Sequence, residues 1–111
     1  MTDCLFCKIA AGDIPASFVH EDERVVAFRD INPEAPTHVL VIPRQHFSNV
    51  EELVADADLA AHVLSVAARV AADETTDGHR LVFNTGVDGG QTVHHVHAHI
   101  LGGRHLQWPP G

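Results

Sequence analysis

The sequence predicts an α+β fold in which a five-stranded, largely antiparallel sheet packs against one long helix, with one or two short helices beside it. Three observations carry that expectation. Short runs rich in branched and aromatic residues recur at 17–20, 25–29, 38–42, 80–84 and towards 101, separated by turn-forming residues. Only the stretch from about 58 to 73 sustains apolar residues at helical spacing over several turns. Most strand runs follow one another directly, as in hairpins, which favours antiparallel pairing.

The elements are justified in chain order. Leu5, Phe6 and Ile9 fall on one side of a short helix that Gly12 can stop. Ser17–His20 and Val25–Arg29 read as strands joined by the acidic turn Glu21-Asp22-Glu23. Asn32, Pro33 and Pro36 break regular structure between Asp30 and Thr37, and the apolar run His38–Ile42 follows as a central strand. Ser48 or Asn49 can cap a brief helix through Leu53, and Asp58 a longer one to about Asp73. In the longer helix Leu59, Val63, Val66 and Val70 recur on one face, flattened by Ala67 and Ala71. Thr76-Asp77-Gly78 ends it, Arg80–Asn84 is the next strand, and the glycine-rich loop Thr85–Gly90 feeds a last strand over Thr92–Leu101.

A chain of 111 residues with 45% hydrophobic content is one domain spanning 1–111. Its formal charge of −8 argues against a general nucleic-acid binder, so an anionic ligand must be held by local donors. Two cysteines do not make a secreted disulfide framework. The start Met1-Thr2-Asp3-Cys4 lacks a basic segment followed by an apolar run, and no stretch approaches the ~20 apolar residues of a membrane span. A cytoplasmic protein without membrane contact is expected.

The chemistry concentrates near the C-terminus. On a strand, His95, His97 and His99 share one side while Val96, Ala98 and Ile100 share the other. His95 and His99 would then lie about 13 Å apart, too far for one ion to hold all three, although a metal role for one member stays open. A neutral imidazole is a nucleophile, and a second, protonated one binds an anion or moves a proton. His94 is out of phase and reads as a buried or edge histidine. His20, His62, His79 and His105 read as surface or packing residues. Before the histidines, Gly89-Gly90 lets backbone amides approach an anion closely, and Gln91 and Thr92 add side-chain donors.

The pattern His95-Val96-His97-Ala98-His99-Ile100-Leu101 resembles the signature of the histidine triad family of nucleotide hydrolases and transferases. Asp30 to His38, followed by Val39 to Pro43, is similar to that family's first half-site. Leu101-Gly102-Gly103-Arg104 through Trp108-Pro109-Pro110-Gly111 is similar to its nucleotide-binding Hint branch. The resemblance implies the histidine triad fold and an enzyme that hydrolyses purine nucleotide phosphoramidates to the nucleoside monophosphate. The alternatives are a dinucleoside polyphosphate hydrolase and a dimeric nucleotide-binding scaffold with incidental catalysis.

By the same resemblance His97 is the nucleophile that forms a nucleotidyl-histidine. His99 contacts the phosphate, as an imidazolium that offsets developing charge. His38 stands beside the leaving group, and Thr92 helps protonate the leaving amine. Asp30 accepts from the ribose hydroxyls, and Asn84, Gly90 and Gln91 contact sugar and phosphate. Leu5, Phe6, Ile9, Phe28 and Ile31 form the apolar slot for the base, each with a plain core role as the competing reading. No organic cofactor is implied. Cys4 and Cys7 clamp one side of a structural zinc site that His46 and His95 complete. A redox pair is the rival but lacks a βαβ context, and two buried thiols remain a third reading. Trp108, on a tail stiffened by prolines, reaches across a homodimer towards the partner's active site.

Overall fold

The computed structural model describes residues 3–111; Met1 and Thr2, part of the start read above, lie outside them. In chain order the elements are α1 (Leu5–Ala10), β1 (Phe18–Glu21), β2 (Val25–Arg29), β3 (Thr37–Pro43), α2 (Val50–Leu53), α3 (Ala57–Glu74), β4 (His79–Phe83) and β5 (Ala98–Gly102). The strands form one sheet in the order β1-β2-β3-β5-β4, with every neighbouring pair antiparallel.

Both faces of the sheet are covered, which explains why β2 and β3 are almost wholly apolar instead of alternating. On one face Val25, Ala27, Val39, Val41, Ala98 and Ile100 pack under α3, which contributes Leu59, Val63, Val66, Ala67, Val70 and Ala71. On the other face Val26, Phe28, Leu40 and Ile42 meet Phe6, Ile9 and Ala10 of α1. Because α1 covers only part of this second face, the rest stays open. That opening becomes the candidate site. Among the described residues no helix is long and apolar enough to cross a membrane.

Helix ends follow local chemistry. The Cys4 thiol accepts the Cys7 amide at 3.3 Å and caps α1. Gly12, at φ +84°, lets its own amide reach Ile9 O and the Asp13 amide reach Lys8 O, closing the helix in a Schellman turn. Asn49 caps α2 by accepting the Glu52 amide at 3.0 Å. The cap of α3 is Asp56, which accepts the Leu59 amide, and not Asp58. Asp58 sits inside the first turn and pairs with Arg24 at 2.8 Å. Both aspartates suit a helix start, and spacing does not rank them.

Two further expectations change. The last strand begins at Ala98, so His95 and His97 precede it in irregular backbone. Val96 and Ala98 nevertheless enter the α3 core while His95 and His97 meet Phe6 on the opposite face, so the alternation of sides survives the loss of regular pairing. His94 is exposed, neither buried nor on a sheet edge. His20 and His62 are not isolated. Both donate from Nε2 to Asp22 Oδ2, at 2.7 and 2.8 Å, tying α3 to the β1–β2 turn. Burial alone would raise the Asp22 pKa, but these bonds and the amides of Arg24 and Val25 hold it well below the usual carboxylate range.

Candidate active site

A cavity of about 500 Å³ opens between α1, the β2–β3 connection and the histidine segment. Its walls bring together Leu5, Phe6, Ile9, Phe28, Asp30, Ile31, His38, Thr92, His97 and His99. One end is aromatic and aliphatic. Phe6 stands edge-on to Phe28, with ring centres 5.6 Å apart, and edge-on to His97 at 5.0 Å. Ile31 lies at the rim, 91% exposed, and so edges the cavity without a core contact.

The register of the sheet places the polar end. Leu40 of β3 pairs directly with His99 of β5, so His38, two residues earlier on the same face, is a diagonal neighbour of His99. His38 Nε2 and His99 Nδ1 are 2.9 Å apart. The rings of His97 and His99 lie 4.8 Å apart, centre to centre.

Backbone partners decide which nitrogen carries each proton, because an amide can only donate and a carbonyl can only accept. The Glu34 amide donates to His38 Nδ1 at 3.0 Å, which puts the His38 proton on Nε2. That N–H donates to His99 Nδ1, so the His99 proton is on Nε2. His97 Nδ1 donates to the His95 carbonyl at 2.8 Å, leaving a bare lone pair on His97 Nε2. The cavity therefore meets one imidazole acceptor and one imidazole donor side by side.

Burial favours the neutral form of His97 and of His99. It lowers the His97 pKa, against the attraction of Asp30. It takes His99 down to about 4, helped by repulsion from His97 and His38. Burial thus favours a neutral His99 that donates through Nε2, where the resemblance implied an imidazolium. For His99, burial and the two neighbouring imidazoles outweigh the opposing attraction of Asp30.

Asp30, His38 and His99 also lie within 4.8 Å of one another, the spacing of a cation site. The hydrogen bonds exclude that use. A cation would need the His38 Nε2 proton removed while Nδ1 still accepts an amide, leaving an imidazolate. Asp30 instead accepts the Asn32 amide through Oδ1 and approaches His38 Nε2 to 3.4 Å with Oδ2.

A second cluster adjoins the cavity behind Phe6. Donor atoms of Cys4, Cys7, His46 and His95 all lie within 4.8 Å of one another, and both cysteines are free thiols. Tetrahedral zinc with Zn–S near 2.3 Å and Zn–N near 2.0–2.1 Å needs ligand atoms roughly 3.3–3.8 Å apart. His46 Nδ1 and His95 Nδ1 are separated by 3.2 Å, Cys4 Sγ and His95 Nδ1 by 3.3 Å, and Cys7 Sγ is 3.5 Å from each histidine nitrogen. His95 is fully buried and its Nε2 donates to the Pro43 carbonyl at 2.8 Å, which fixes the tautomer with a bare Nδ1 facing the thiols. Burial pushes the Cys7 thiol up and takes the His95 ring down to about 4. The donor set, spacing and tautomer all fit a zinc ion.

Four residues expected at the site are placed elsewhere. Asn84 Nδ2 donates to the Gly89 carbonyl and serves the loop itself. The Gln91 side chain is engaged on every side: Nε2 donates to the Ser48 and Val93 carbonyls and Oε1 accepts the Gly86 amide. A Cβ on Gly89 would collide with the Thr85 backbone and Gly90 has φ +78°, so the glycines answer to the loop's own turn. Trp108 is 80% exposed, with the Arg80 guanidinium 5.9 Å over its ring. None of the four lines the cavity of the single chain. Conversely Ile14, Pro15, Ala16, Leu40 and Val93 line it without having been singled out. The phase of Leu40 with His38, and of Val93 with His97, would have found two of them; the connection after α1 carries no such signal.

Comparison with known proteins agrees with this geometry. The HIT domain family profile matches residues 11–106. An uncharacterized HIT-like protein of Synechococcus elongatus is 50% identical over 111 residues, covering 98% of this chain and 97% of its own. A 14 kDa zinc-binding protein of Zea mays is 46% identical, with 96% and 87% covered. The crystal structure of a HIT family hydrolase from Legionella pneumophila superposes with a TM-score of 0.94 at 50% identity, covering 98% of this chain and 100% of that one.

Proposed function

The chain belongs to the HIT domain family, and from that premise we propose that it is a nucleotide hydrolase that cleaves purine nucleoside phosphoramidates. The observation that carries this reading is the bare Nε2 of His97, held towards the cavity by the bond from Nδ1 to the His95 carbonyl, beside the Nε2–H of His99.

The purine lies in the apolar end among Leu5, Phe6, Ile9, Phe28 and Ile31, and Asp30 accepts from the ribose hydroxyls. His97 Nε2 attacks the α-phosphorus and the P–N bond to the leaving amine breaks, giving a nucleotidyl-His97. As the ring becomes cationic, its Nδ1–H bond to the His95 carbonyl strengthens. His99 Nε2–H donates to a phosphoryl oxygen, and the Glu34 amide, His38 and His99 form a chain of donors that sustains it. The departing nitrogen takes a proton from the Thr92 hydroxyl, which is exposed and recovers it from solvent water, and leaves as the neutral amine. Water then displaces His97 and releases the nucleoside monophosphate. Asn84, Gly90 and Gln91 act by holding the loop that carries Thr92.

Zinc bound by Cys4, Cys7, His46 and His95 would supply a structural crosslink and no open coordination position. The homologous zinc-binding maize protein supports that assignment. We read the functional unit as a homodimer, since β4 is a sheet edge and Trp108 stands exposed beside it. The free thiols suit a reducing, cytoplasmic setting.

The test is to quench the protein during turnover of an adenosine phosphoramidate and weigh it intact. An adenylyl adduct on His97, absent in His97→Ala together with turnover, is the expected result. Undiminished turnover in His97→Ala overturns the reading, and faster cleavage of diadenosine polyphosphates than of the phosphoramidate reassigns the substrate.

A further inference from the structure

The 95–96 peptide stands at a junction. Its carbonyl accepts from His97 Nδ1 at 2.8 Å, and its N–H, from Val96, donates to the Phe47 carbonyl at 2.7 Å. Strand pairing does not hold this peptide, because β5 begins at Ala98. Phe47 also lies in irregular chain, between β3 and α2. The side chains flanking that bond also join the two segments: His46 precedes Phe47, His95 precedes Val96, and their Nδ1 atoms converge with Cys4 and Cys7. The cysteines also bracket Phe6, whose ring packs edge-on against both His97 and His95.

We infer that the Cys4–Cys7–His46–His95 cluster positions the nucleophile: by clasping the His46–Phe47 and His95–Val96 segments it holds the 95–96 carbonyl where it selects the Nδ1–H tautomer of His97. His95 is therefore a positioning residue, acting through its own backbone oxygen while its ring is committed to the cluster. The inference takes the zinc assignment as its starting point, and only its kinetic consequence depends on His97 being the nucleophile.

The physical reason is a match of proton to acceptor. A carbonyl can only accept, so while it faces Nδ1 the proton must be there and Nε2 must be bare. If the peptide turns away, nothing selects the tautomer, and molecules with Nε2–H have no lone pair to offer phosphorus. The bonds from Gln91 Nε2 to Ser48 O and from His95 Nε2 to Pro43 O keep the two segments near each other when the clasp opens. The consequence is therefore a change in peptide orientation and tautomer within a folded chain.

Nitrogen-15 spectra of the imidazoles report this directly, because protonated and bare ring nitrogens resonate far apart. The zinc-loaded wild type should show a single His97 tautomer, Nδ1–H. After chelation, and in His46→Ala, the two tautomers should both be populated while the sheet amides remain dispersed. His46→Cys, which keeps a fourth zinc ligand, should restore the single tautomer when zinc is added. Turnover of an adenosine phosphoramidate should follow the tautomer, with kcat in the metal-free states falling in proportion to the Nδ1–H fraction that the spectra give and KM changed by less than about twofold. A single Nδ1–H tautomer in the chelated, folded protein overturns the inference. Should metal removal unfold the chain, cadmium in place of zinc gives a folded comparison: a wider site must move the His97 Nδ1 resonance, and an unmoved resonance overturns it equally. A tautomer that follows the metal while kcat does not would uphold the clasp and remove His97 from the chemistry.

Discussion

Lowering the pH offers a quantitative test of the neutral histidine pair. In the proposed reaction attack requires His97 unprotonated, so kcat/KM should fall as pH drops through the His97 pKa of the free protein. An ordinary imidazole with pKa 6.5 would be only about one-tenth neutral at pH 5.5, which would leave roughly a tenth of plateau activity. Burial among Phe6, His95 and His99 lowers the His97 pKa below that value, and His99 stays neutral down to about 4. More than half of the plateau kcat/KM should therefore persist at pH 6.5, and well over a tenth at pH 5.5. The same shift has a stability consequence. A base whose folded pKa is depressed takes up protons more readily when unfolded, so its stabilisation is complete above pH 6.5 and is lost as pH falls towards the folded value. For His99 that loss falls between pH 6.5 and about 4. The assay is initial-rate kinetics on an adenosine phosphoramidate from pH 5 to 8, with urea unfolding midpoints measured in the same buffers. A kcat/KM that is down to a tenth at pH 5.5 while the protein remains fully folded would refute the argument, because it would show a ring that titrates as if in water.

Two substitutions test how the scaffold is fastened. Asp56→Ala should destabilise the chain by about 1 kcal/mol through loss of the α3 cap, whereas Asp58→Ala, which breaks only an exposed pair with Arg24, should cost about 0.5 kcal/mol or less. Chemical denaturation midpoints separate the two, and equal losses would contradict the assigned cap. Asp22→Asn removes the charge on which His20 and His62 converge and should cost about 1–3 kcal/mol. Because the Asp22 pKa is depressed in the fold, its stabilisation is present above pH 4 and lost as pH falls below, so the gap between wild type and variant should close in acid.

The periodicities that define the fold were legible because burial on a sheet or helix imposes them wherever the element is regular. Leu59, Val63, Val66 and Val70 recur at the spacing of one helix face, and Val25–Arg29 and His38–Ile42 read as strands, the second a central one, although only the fold shows both covered on two sides. The histidine segment shows the limit. Alternation assigned sides correctly from His95 to His99, yet it did not show that regular pairing starts only at Ala98. The irregular backbone matters to the site, since it leaves the His95 carbonyl outside the ladder and turned to accept from His97 Nδ1.

Resemblance supplied residue types, but it could not say which partner each donor would find. Gln91 and Asn84 both looked like groups that reach for sugar and phosphate, and in the fold the side-chain amide nitrogen of each donates to backbone carbonyls. A loop without a ladder leaves its backbone acceptors unpaired, and the nearest amide side chains bond them before any ligand arrives. His20 and His62 were missed for the converse reason. They lie far apart in sequence and meet only because α3 crosses the sheet beside the β1–β2 turn, where Asp22 is already pinned by two backbone amides. Contacts that close through a third element carry no local period. The Cys4, Cys7, His46 and His95 cluster is of this kind too, and neither the three-residue spacing of its cysteines nor the alternation of its last histidine would have joined them without the resemblance. Their convergence on one point behind Phe6 is therefore the feature that ties a legible scaffold to the tautomer of a single ring.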